Sequence, residues 1–349
     1  KIKQFVEIYK IKAIIFLSLI FCFGLYYFIF PQIKKNKNVE IIFFDVGFGN
    51  SVLVKTPNKN ILIDTGSPGP SGWSAIESAI APTLTKFAIK TLDSVIITSI
   101  KPQCVGGVVY ILSHFKTNKL YLPKNFLDCS NLTYYDFIEK QNLWYYMTNP
   151  YLYEVTSLFV ENYKLSKYIK EFYGEIKIVS DKEEIVVDEL IDGKNFKLMI
   201  LSSETLVDTL DTIADNSLCV KIIYGNQSVL LPTQAGIKLQ DKFVVKFNDV
   251  LKSNILLVPQ NGHYNGYNEA FLKKVSAEIA VCQYGWTNQR IGYFNPSYVL
   301  PTQQKYQSLN IKFLRTDFVG SVSFVLDGEK YIYTTGVSEE EYKTRINID

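Results

Sequence analysis

The sequence predicts a four-layer αββα sandwich of the α/β (α+β) class, preceded by one transmembrane helix. Three observations predict it: an uncharged apolar run near the N-terminus, a series of strand and helix patterns from residue 39, and a second such series from residue 175. Each series supplies one sheet, and helices outside both sheets complete four layers. Hydrophobic residues make up 47% of the chain and charged residues 20%, so a large core can form.

The apolar run extends without a charge from Ala13 to Ile33. A helix of this length can cross a hydrocarbon core of about 30 Å. A buried core helix or a cleaved signal peptide is disfavoured, because the run is longer than a typical signal core and no small-residue cleavage site follows it. We expect a tail at residues 1–12, a single-pass membrane helix at 13–33 and a juxtamembrane linker at 34–38.

The orientation of this helix is predicted from the lengths of the segments on either side of it rather than from their charges. Lysines flank both ends, so the positive-inside comparison is close to a tie. A short N-terminal tail before a large C-terminal domain is typical of a signal anchor. We therefore expect the globular domain to be extracytoplasmic.

The domain is predicted to span residues 39–349. Its first half contains the strand-like runs VEIIFFDVG, NSVLVKT and ILIDTG, a helix with Ile76, Ile80 and Leu84 on one face, and the buried-type strand LDSVIITS. The runs EIKIVS, EEIVVDEL, FKLMILS, LCVKIIYG and QSVLLPT predict a second sheet, and SVSFVLDGEKYIYTT predicts a closing hairpin. No repeat of fixed period interrupts this order.

An aromatic-rich helical insertion is predicted at about 130–173, where Tyr, Trp and Phe recur at high density. Such side chains require burial. Core packing is one interpretation, and a protein-binding surface is the other, because Tyr and Trp are enriched at interfaces.

Charge and cysteine content exclude several classes of protein. The net charge of +3 is too near balance to favour a nucleic-acid groove, although nucleic-acid binding stays an alternative. The five cysteines show no CxxC spacing, and Cys22 lies in the apolar run. Neither a zinc ribbon nor a disulfide scaffold is indicated, and isolated buried thiols are expected.

The run FFDVGFGNSVLVKTPNKNILIDTG, residues 43–66, resembles the opening of the metallo-β-lactamase-fold domain of the ComEC/Rec2 competence proteins, in which a DVGQGD turn precedes two strands that end in iDtG. The register continues through VIITSIKPQCVGG, against vlTHpdaDHiGG in the family, and through LLVPQNGHYN, against LkvpHHGs. Order and spacing agree from residue 40 to 335. The resemblance implies a metallo-β-lactamase-like sandwich and, in the family, a dinuclear metal site and a role in DNA processing.

The positions at which the family carries metal ligands hold other residue types here. They are Ser99, Lys101, Gln103, Cys104, Gln234, Gln260, Asn261 and Asn295. Zinc or manganese sites of this kind need imidazole nitrogen and carboxylate oxygen at about 2.0–2.2 Å, which neutral amides do not replace. The whole chain has two histidines, and an ammonium group at Lys101 opposes entry of a divalent cation. We expect no metal and no cofactor, a vestigial pocket where these residues converge, and Asp64 as the partner of Lys101.

Several residues of the family's tight turns are retained. They are Asp45, Gly47, Gly49, Asp64, Gly66, Gly106 and Gly107. Glycine permits unusual φ angles, and Asp bonds nearby backbone amides, so folding alone accounts for them.

The function that follows is a membrane-anchored pseudoenzyme acting through protein contacts, as a scaffold, sensor or assembly component. One alternative is a nuclease or phosphodiesterase with an unconventional site built from Cys104, His263, Asp64 and Asp45. A second alternative is metal-independent DNA binding, which predicts affinity that falls with salt. The expected partners are the membrane, through residues 13–33, and other proteins.

Overall fold

The structure is a computed structural model that describes residues 2–29, 37–68, 75–126, 160–180, 183–203, 216–285, 299–338 and 341. It divides into two compact units, Lys1–Lys37 and Asn38–Asp349. Most of the aromatic-rich segment, residues 130–159, lies outside the described residues, as does Asn295.

The first unit is helix α1, Ile2–Ile29. This helix begins well before the predicted start at Ala13, and residues 30–33 of the predicted span lie outside the described part of the chain. Large apolar side chains are exposed along α1: Ile14, Ile15, Phe16, Leu17, Leu19, Ile20, Phe21, Phe23 and Leu25. Within the described residues, no helix combines the length and apolar character that crossing a membrane requires. The membrane-spanning helix therefore stays a prediction.

The second unit contains strands and short helices. The strands are β1 Val39–Phe43, β2 Val52–Lys55, β3 Asn60–Ile63, β4 Thr91–Ile96, β5 Lys116–Pro123, β6 Glu175–Val179, β7 Glu184–Ile191, β8 Lys194–Leu201, β9 Cys219–Tyr224, β10 Gln227–Leu231, β11 Ile255–Leu257, β12 Ile279–Cys282, β13 Lys312–Arg315, β14 Val322–Leu326 and β15 Tyr331–Thr335. The helices are α2 Ala81–Lys86, α3 Pro102–Val105, α4 Val108–His114, α5 Ile237–Phe247, α6 Glu269–Val275, α7 Leu300–Ser308 and α8 Thr316–Val319. Residues 160–168 are also helical.

The described strands form two sheets. The first has the order β15-β14-β1-β2-β3-β4-β5-β6, and the second has the order β13-β12-β11-β10-β9-β8-β7. Pairing is antiparallel from β15 to β3 and from β7 to β10, and parallel from β3 to β6 and from β10 to β13. A mixed α/β fold with two sheets and helices is therefore confirmed.

One prediction about the sheets is wrong. The strand EIKIVS, which is β6, was expected to open the second sheet, but it pairs in parallel with β5 and closes the edge of the first sheet. A parallel neighbour requires a crossover connection, and the helical residues 160–168 lie between β5 and β6 in the chain.

The core has three parts. One cluster joins strands of both sheets, so that alternate residues such as Val220 and Ile222 of β9 meet Phe43 and Phe324 of the first sheet. A second cluster packs α2 and α4 on the first sheet, and a third packs α5, α6 and α7 on the second. Tyr168 belongs to the edge of the second cluster and donates a hydrogen bond to the carbonyl of Leu112 (3.0 Å). This arrangement leaves the loops at the strand ends to form the site.

Candidate functional site

The candidate site is formed by the loops that follow β1, β3, β4, β10, β11 and β12. Among the described residues of these loops, four that are not glycine have positive φ: Asp64 (56°), Thr233 (46°), Gln260 (48°) and Asn261 (51°). This conformation is uncommon for any residue with a side chain and is most costly for a β-branched residue such as Thr. Such loop shapes persist when surrounding contacts over-determine them, and the contacts here are hydrogen bonds.

Four neutral amide side chains, here called the amide cluster, meet between the two sheets: Asn50, Gln234, Asn261 and Gln283. All four residues are at most 2% exposed. Gln234 is the centre, because its Nε2 donates to Asn50 Oδ1 (2.7 Å) and to Asn261 Oδ1 (2.7 Å). One amide of the second sheet therefore joins a loop of the first sheet to a loop of the second.

The remaining members tie the cluster to the backbone. Asn50 Nδ2 donates to Gln283 Oε1 (3.2 Å), and Gln283 Nε2 donates to the carbonyls of Phe44 (2.9 Å) and Ser51 (2.6 Å). Asn261 Nδ2 donates to the carbonyls of Gly49 (3.0 Å) and Gln283 (2.8 Å). Buried amides without partners would cost free energy, so this pairing is what makes a polar interior tolerable.

A buried carboxyl group lies beside the amide cluster. Asp64 Oδ1 accepts from the backbone N–H of Thr98 (2.8 Å), and Asp64 Oδ2 accepts from the Thr98 hydroxyl (2.7 Å). The Thr98 hydroxyl is also 2.8 Å from that of Thr233 in the second sheet's loop. Burial raises the pKa of Asp64 from its usual value to about 7, against the lowering effect of the Thr98 hydrogen bonds.

Cys104 is the one thiol among the predicted pocket residues. Its Sγ lies 3.8 Å from the Thr98 hydroxyl and 4.0 Å from Asn50 Oδ1. Burial and the neighbouring Asp64 raise the pKa of this thiol well above its ordinary value. The neutral thiol is therefore favoured over the thiolate in this pocket.

The rest of the loop at 99–104 is held by backbone contacts. The Gln103 carbonyl accepts from the Asn50 N–H (2.8 Å), and the Cys104 carbonyl accepts from the Thr65 N–H (2.9 Å). Ser99 is buried, with its Oγ accepting from the Lys101 N–H (3.3 Å). No ion pair within 4.0 Å joins Lys101 to Asp64, so the predicted pairing of these two described residues is wrong. Thr98 takes both oxygens of Asp64, and Lys101 is half-buried, so it keeps contact with solvent.

The paired glycines after this loop are required by close packing. A Cβ added at Gly106 would lie 2.1 Å from the backbone nitrogen of Pro68, and one at Gly107 would lie 1.9 Å from Ile76 Cγ1. The Gly107 N–H donates to the Thr65 hydroxyl (3.2 Å). These contacts agree with a folding role for the glycine pair.

Asp45 and His263 lie outside the amide cluster. The Asp45 N–H donates to Ser321 Oγ (2.9 Å), and burial raises the pKa of the Asp45 carboxyl to about 6, with a further rise from Asp317. His263 Nδ1 accepts from the Asn265 N–H (3.3 Å), and its ring packs on Tyr264 at 4.2 Å. These contacts are made to Ser321, Asn265 and Tyr264, none of which belongs to the amide cluster.

Gln260 joins the site mainly through its backbone. Its N–H donates to the Thr233 carbonyl (2.7 Å), and its Nε2 donates to the Gln234 carbonyl (3.4 Å). The structure thus brings together Gln234, Gln260, Asn261, Cys104 and Asp64 of the residues predicted from sequence.

Two members of the cluster, Asn50 and Gln283, were missed by the sequence reasoning. The signal for Asn50 was present, because the family turn DVGQGD ends in Asp where this chain has Asn50. Gln283 follows β12 in CQYG, and no motif marks it. Its role depends on hydrogen bonds to residues more than two hundred positions away, as in the contact with Asn50.

The donor set at this site does not fit a metal centre. Within the described residues, no group of three or more His, Cys, Asp or Glu side chains is placed to hold a metal ion. The amide oxygens of Asn50 and Asn261 accept hydrogen bonds from Gln234, and Cys104 supplies one thiol. These groups lack the imidazole and carboxylate ligands that zinc or manganese requires.

Comparisons with known proteins find one matching protein family and several related proteins. A family model described as the metallo-beta-lactamase superfamily matches residues 44–127. Competence protein ComA of Neisseria gonorrhoeae is 22% identical over 298 residues, covering 85% of this chain and 33% of that protein. ComE operon protein 3 of Bacillus subtilis (strain 168) is 24% identical over 312 residues, covering 85% of this chain and 34% of that protein.

The chain is thus similar to ComEC-type competence proteins, and its residues 44–127 match the metallo-beta-lactamase superfamily. It spans about a third of the length of these curated relatives. Among solved structures, zinc-bound PqqB from Methylobacterium extorquens is 9% identical with a TM-score of 0.42, covering 80% of this chain and 99% of that chain. The matched residues 44–127 contain Asn50, Asp64 and the loop at 99–104, whereas Gln234, Asn261 and Gln283 lie beyond them.

Proposed function

We propose that this ComEC-like chain is a non-catalytic, membrane-anchored module that acts through protein contacts, on a four-layer αββα metallo-β-lactamase-like sandwich. The observation that carries the proposal is the amide cluster. At positions where the family places carboxylate and imidazole ligands, Gln234 donates hydrogen bonds to Asn261 and to Asn50. A site whose polar groups satisfy one another stabilises the fold and offers no open coordination position for hydrolysis.

The electrostatics of the pocket support the same proposal. Asp64 has its carboxyl pKa raised to about 7, and both of its oxygens accept from Thr98. Both oxygens of this carboxyl are thus engaged by Thr98, and its raised pKa favours the protonated form over the carboxylate that a metal binds. Lys101 adds a positive charge near Cys104, which further disfavours a divalent cation.

The anchor and the partner are further parts of the proposal. Helix α1 exposes nine large apolar side chains between residues 14 and 25, and their burial in lipid would remove that apolar surface from water. We place the globular unit outside the cytoplasm and assign its partner contacts to the aromatic-rich segment 130–173. Crosslinking in the native membrane, followed by mass spectrometry of captured peptides, tests the partner assignment directly.

Catalysis is tested on the full chain purified in detergent. Metal content is measured by inductively coupled plasma mass spectrometry after incubation with Zn²⁺ or Mn²⁺, and cleavage of single- and double-stranded DNA is measured in the same samples. We expect less than about 0.1 metal ion per chain and no cleavage above a buffer control. A stoichiometric metal together with DNA cleavage would establish the alternative of an active nuclease, and salt-sensitive DNA binding without cleavage would favour a metal-independent DNA-binding protein.

A restored site tests the assignment of the ligand positions. The variant carries Ser99→His, Cys104→His and Gln260→His together with Lys101→Asp, Gln103→Asp and Gln234→Asp. We expect it to retain zinc through dialysis, because imidazole and carboxylate donors then face one pocket. The control carries the three Asp substitutions alone and should bind at least tenfold less zinc. Equal zinc binding by both variants would contradict the assignment.

A further inference from the structure

A second polar feature lies on the opposite face of the second sheet, away from the amide cluster. Lys221 is the third residue of β9, and its side chain points to the face covered by α5 and α6, because Val220 and Ile222 point into the core between the sheets. In register, Lys221 lies between Met199 of β8 and Leu230 of β10. The residue is 2% exposed.

The ammonium group of Lys221 is incompletely compensated. It donates to the carbonyl of Lys252 and to Ser253 Oγ (2.7 Å), which follow the 3₁₀ turn Asn248–Leu251. These contacts account for two of its three N–H bonds. Within the described residues, no carboxylate lies within 4.0 Å of its Nζ. A buried cation normally requires a counter-charge, and the described residues supply none to Lys221 within this distance.

A cleft of about 340 Å³ adjoins this ammonium group. Its lining includes Lys197, Lys221 and Lys252, with Ser228 between them. Lys197 is diagonal to Lys221 on the same face of the sheet, since its register partner is Ile223. Neither Lys197 nor Lys252 forms an ion pair with a described residue.

Two carboxylates also border the cleft, and they do not neutralise it. Asp249 is bonded to Lys274 of α6 (2.8 Å), so its charge is already matched. Glu183, before β7, is exposed. Three lysines therefore face one free carboxylate, and the cleft carries a positive excess at its buried end.

We propose that this cleft, here called the Lys221 cleft, binds a small oxyanion, with Lys221 as the buried anchor and Lys197 and Lys252 as outer ligands. The anion takes the third N–H of Lys221 and supplies the counter-charge that the protein lacks. Charge-assisted hydrogen bonds of this kind are among the stronger polar contacts. The site is independent of the amide cluster and of the proposed function.

The pKa of Lys221 predicts how the affinity of this cleft for an anion should depend on pH. Burial lowers this pKa to about 8, with a small opposing effect from Cys219. The other charged groups facing Lys221 are those of the cleft: Lys197 on β8, Glu183 before β7, and Asp249 and Lys252 on the turn, with Lys274 behind Asp249. An anion should raise the pKa of Lys221, and anion affinity should fall as this group loses its proton.

Sulfate is the probe, because its charge is constant over the range tested. Binding to the full chain in detergent is measured by isothermal titration calorimetry at fixed ionic strength, with chloride as the competing salt. We expect saturable binding of one sulfate, weakened at least tenfold by Lys221→Met and several-fold by Lys197→Gln or Lys252→Gln. Lys90→Gln is the matched control, since Lys90 is exposed before β4, and it should bind sulfate as the natural chain does.

The pH profile keeps the test decisive if Lys221→Met fails to fold. Sulfate affinity of the unaltered chain should drop about tenfold between pH 7 and pH 9, as a group with a pKa near 8 deprotonates. Sulfate binding no stronger than chloride binding, or affinity unchanged across this range, would overturn the proposal. Undiminished binding by a folded Lys221→Met variant would overturn it equally.

Discussion

The amide cluster and Asp64 lie next to each other, but burial affects neutral amides and an ionisable carboxyl group differently. In the cluster, Gln234 satisfies Asn50 and Asn261, and no member carries a charge. Asp64 can ionise, and burial raises its pKa to about 7 even though Thr98 donates two hydrogen bonds to it. Burial of the paired neutral amides therefore does not depend on pH. Burial of the carboxyl group costs more free energy when the group is ionised than when it is protonated.

This difference predicts two kinds of response to mutation. Loss of a cluster amide should destabilise the fold at every pH, because it leaves acceptors without donors. Loss of the carboxyl should change how stability depends on pH. The predictions below separate the two responses, beginning with the largest.

Gln234→Ala should have the largest effect. It removes the donor of Asn261 Oδ1 and leaves Asn50 Oδ1 with the distant Cys104 thiol, so the free energy of unfolding should fall by roughly 2–5 kcal/mol. Urea denaturation followed by circular dichroism measures this change. Gln307→Ala, on the exposed side of α7, is the control and should change stability by less than about 0.5 kcal/mol. Equal effects of the two substitutions would show that the cluster does not stabilise the fold.

Asp64→Asn should have the next largest effect, and it should depend on pH. The folded-state pKa of about 7 lies above the usual 3.8, so the stability contributed by protonated Asp64 is fully present below about pH 4 and is lost as pH rises through 7. Asn cannot ionise and tolerates positive φ. The variant should therefore match the natural chain near pH 4 and exceed it by roughly 2–4 kcal/mol at pH 8.

Unfolding free energies of Asp64→Asn at pH 4, 6 and 8 test this prediction. Asp188→Asn, at an exposed position of β7, is the matched control and should give curves parallel to those of the natural chain. A variant that is less stable by the same amount at all three pH values would show that Asp64 acts only through its hydrogen bonds to Thr98.

Asp45→Asn should show the same sign with a smaller size. The pKa of Asp45 is raised to about 6, and its carboxyl accepts from Gly47 and Thr316. Stability from its protonated form is present below about pH 4 and is lost as pH rises through 6, so the gain from the variant should stop growing near pH 7, at roughly 1–3 kcal/mol. Denaturation between pH 4 and 8 checks the position of this plateau. A plateau at the same pH as that of Asp64→Asn would contradict the different burial of the two groups.

The buried thiols should show the smallest response. Cys104, Cys219 and Cys282 are buried, and burial raises the pKa of each thiol, so the reactive thiolate is scarce. We expect less than about 5% modification of these three residues by iodoacetamide at pH 7.5 in the folded chain. Peptide mass spectrometry measures this, and the same sample in urea should be fully modified. Rapid labelling of Cys104 in the folded chain would show that the pocket is open.

Sequence reasoning reached the fold because strand patterns and turn residues act locally. The runs that became β1, β2 and β3 were found from their strand-like composition and from the Gly and Asn residues at the bends between them. The sheet to which β6 belongs could not be found in this way. Its parallel pairing with β5 depends on a crossover connection that includes the helical residues 160–168, and no local pattern specifies that connection.

The features of the candidate site likewise fall into those that the sequence predicts and those that depend on the tertiary structure. The sequence by itself determined that several positions which carry metal ligands in the family hold other residues here, because the chemistry of a side chain does not depend on the fold. These residues are Ser99, Gln103, Gln234, Gln260 and Asn261. Only the tertiary structure decided that Gln234 would bond to Asn50 across 184 positions, that Gln283 would join them, and that Asp64 would pair with Thr98 rather than with Lys101. Those outcomes depend on burial, which removes water as a hydrogen-bond partner and forces each polar group to find another within the fold.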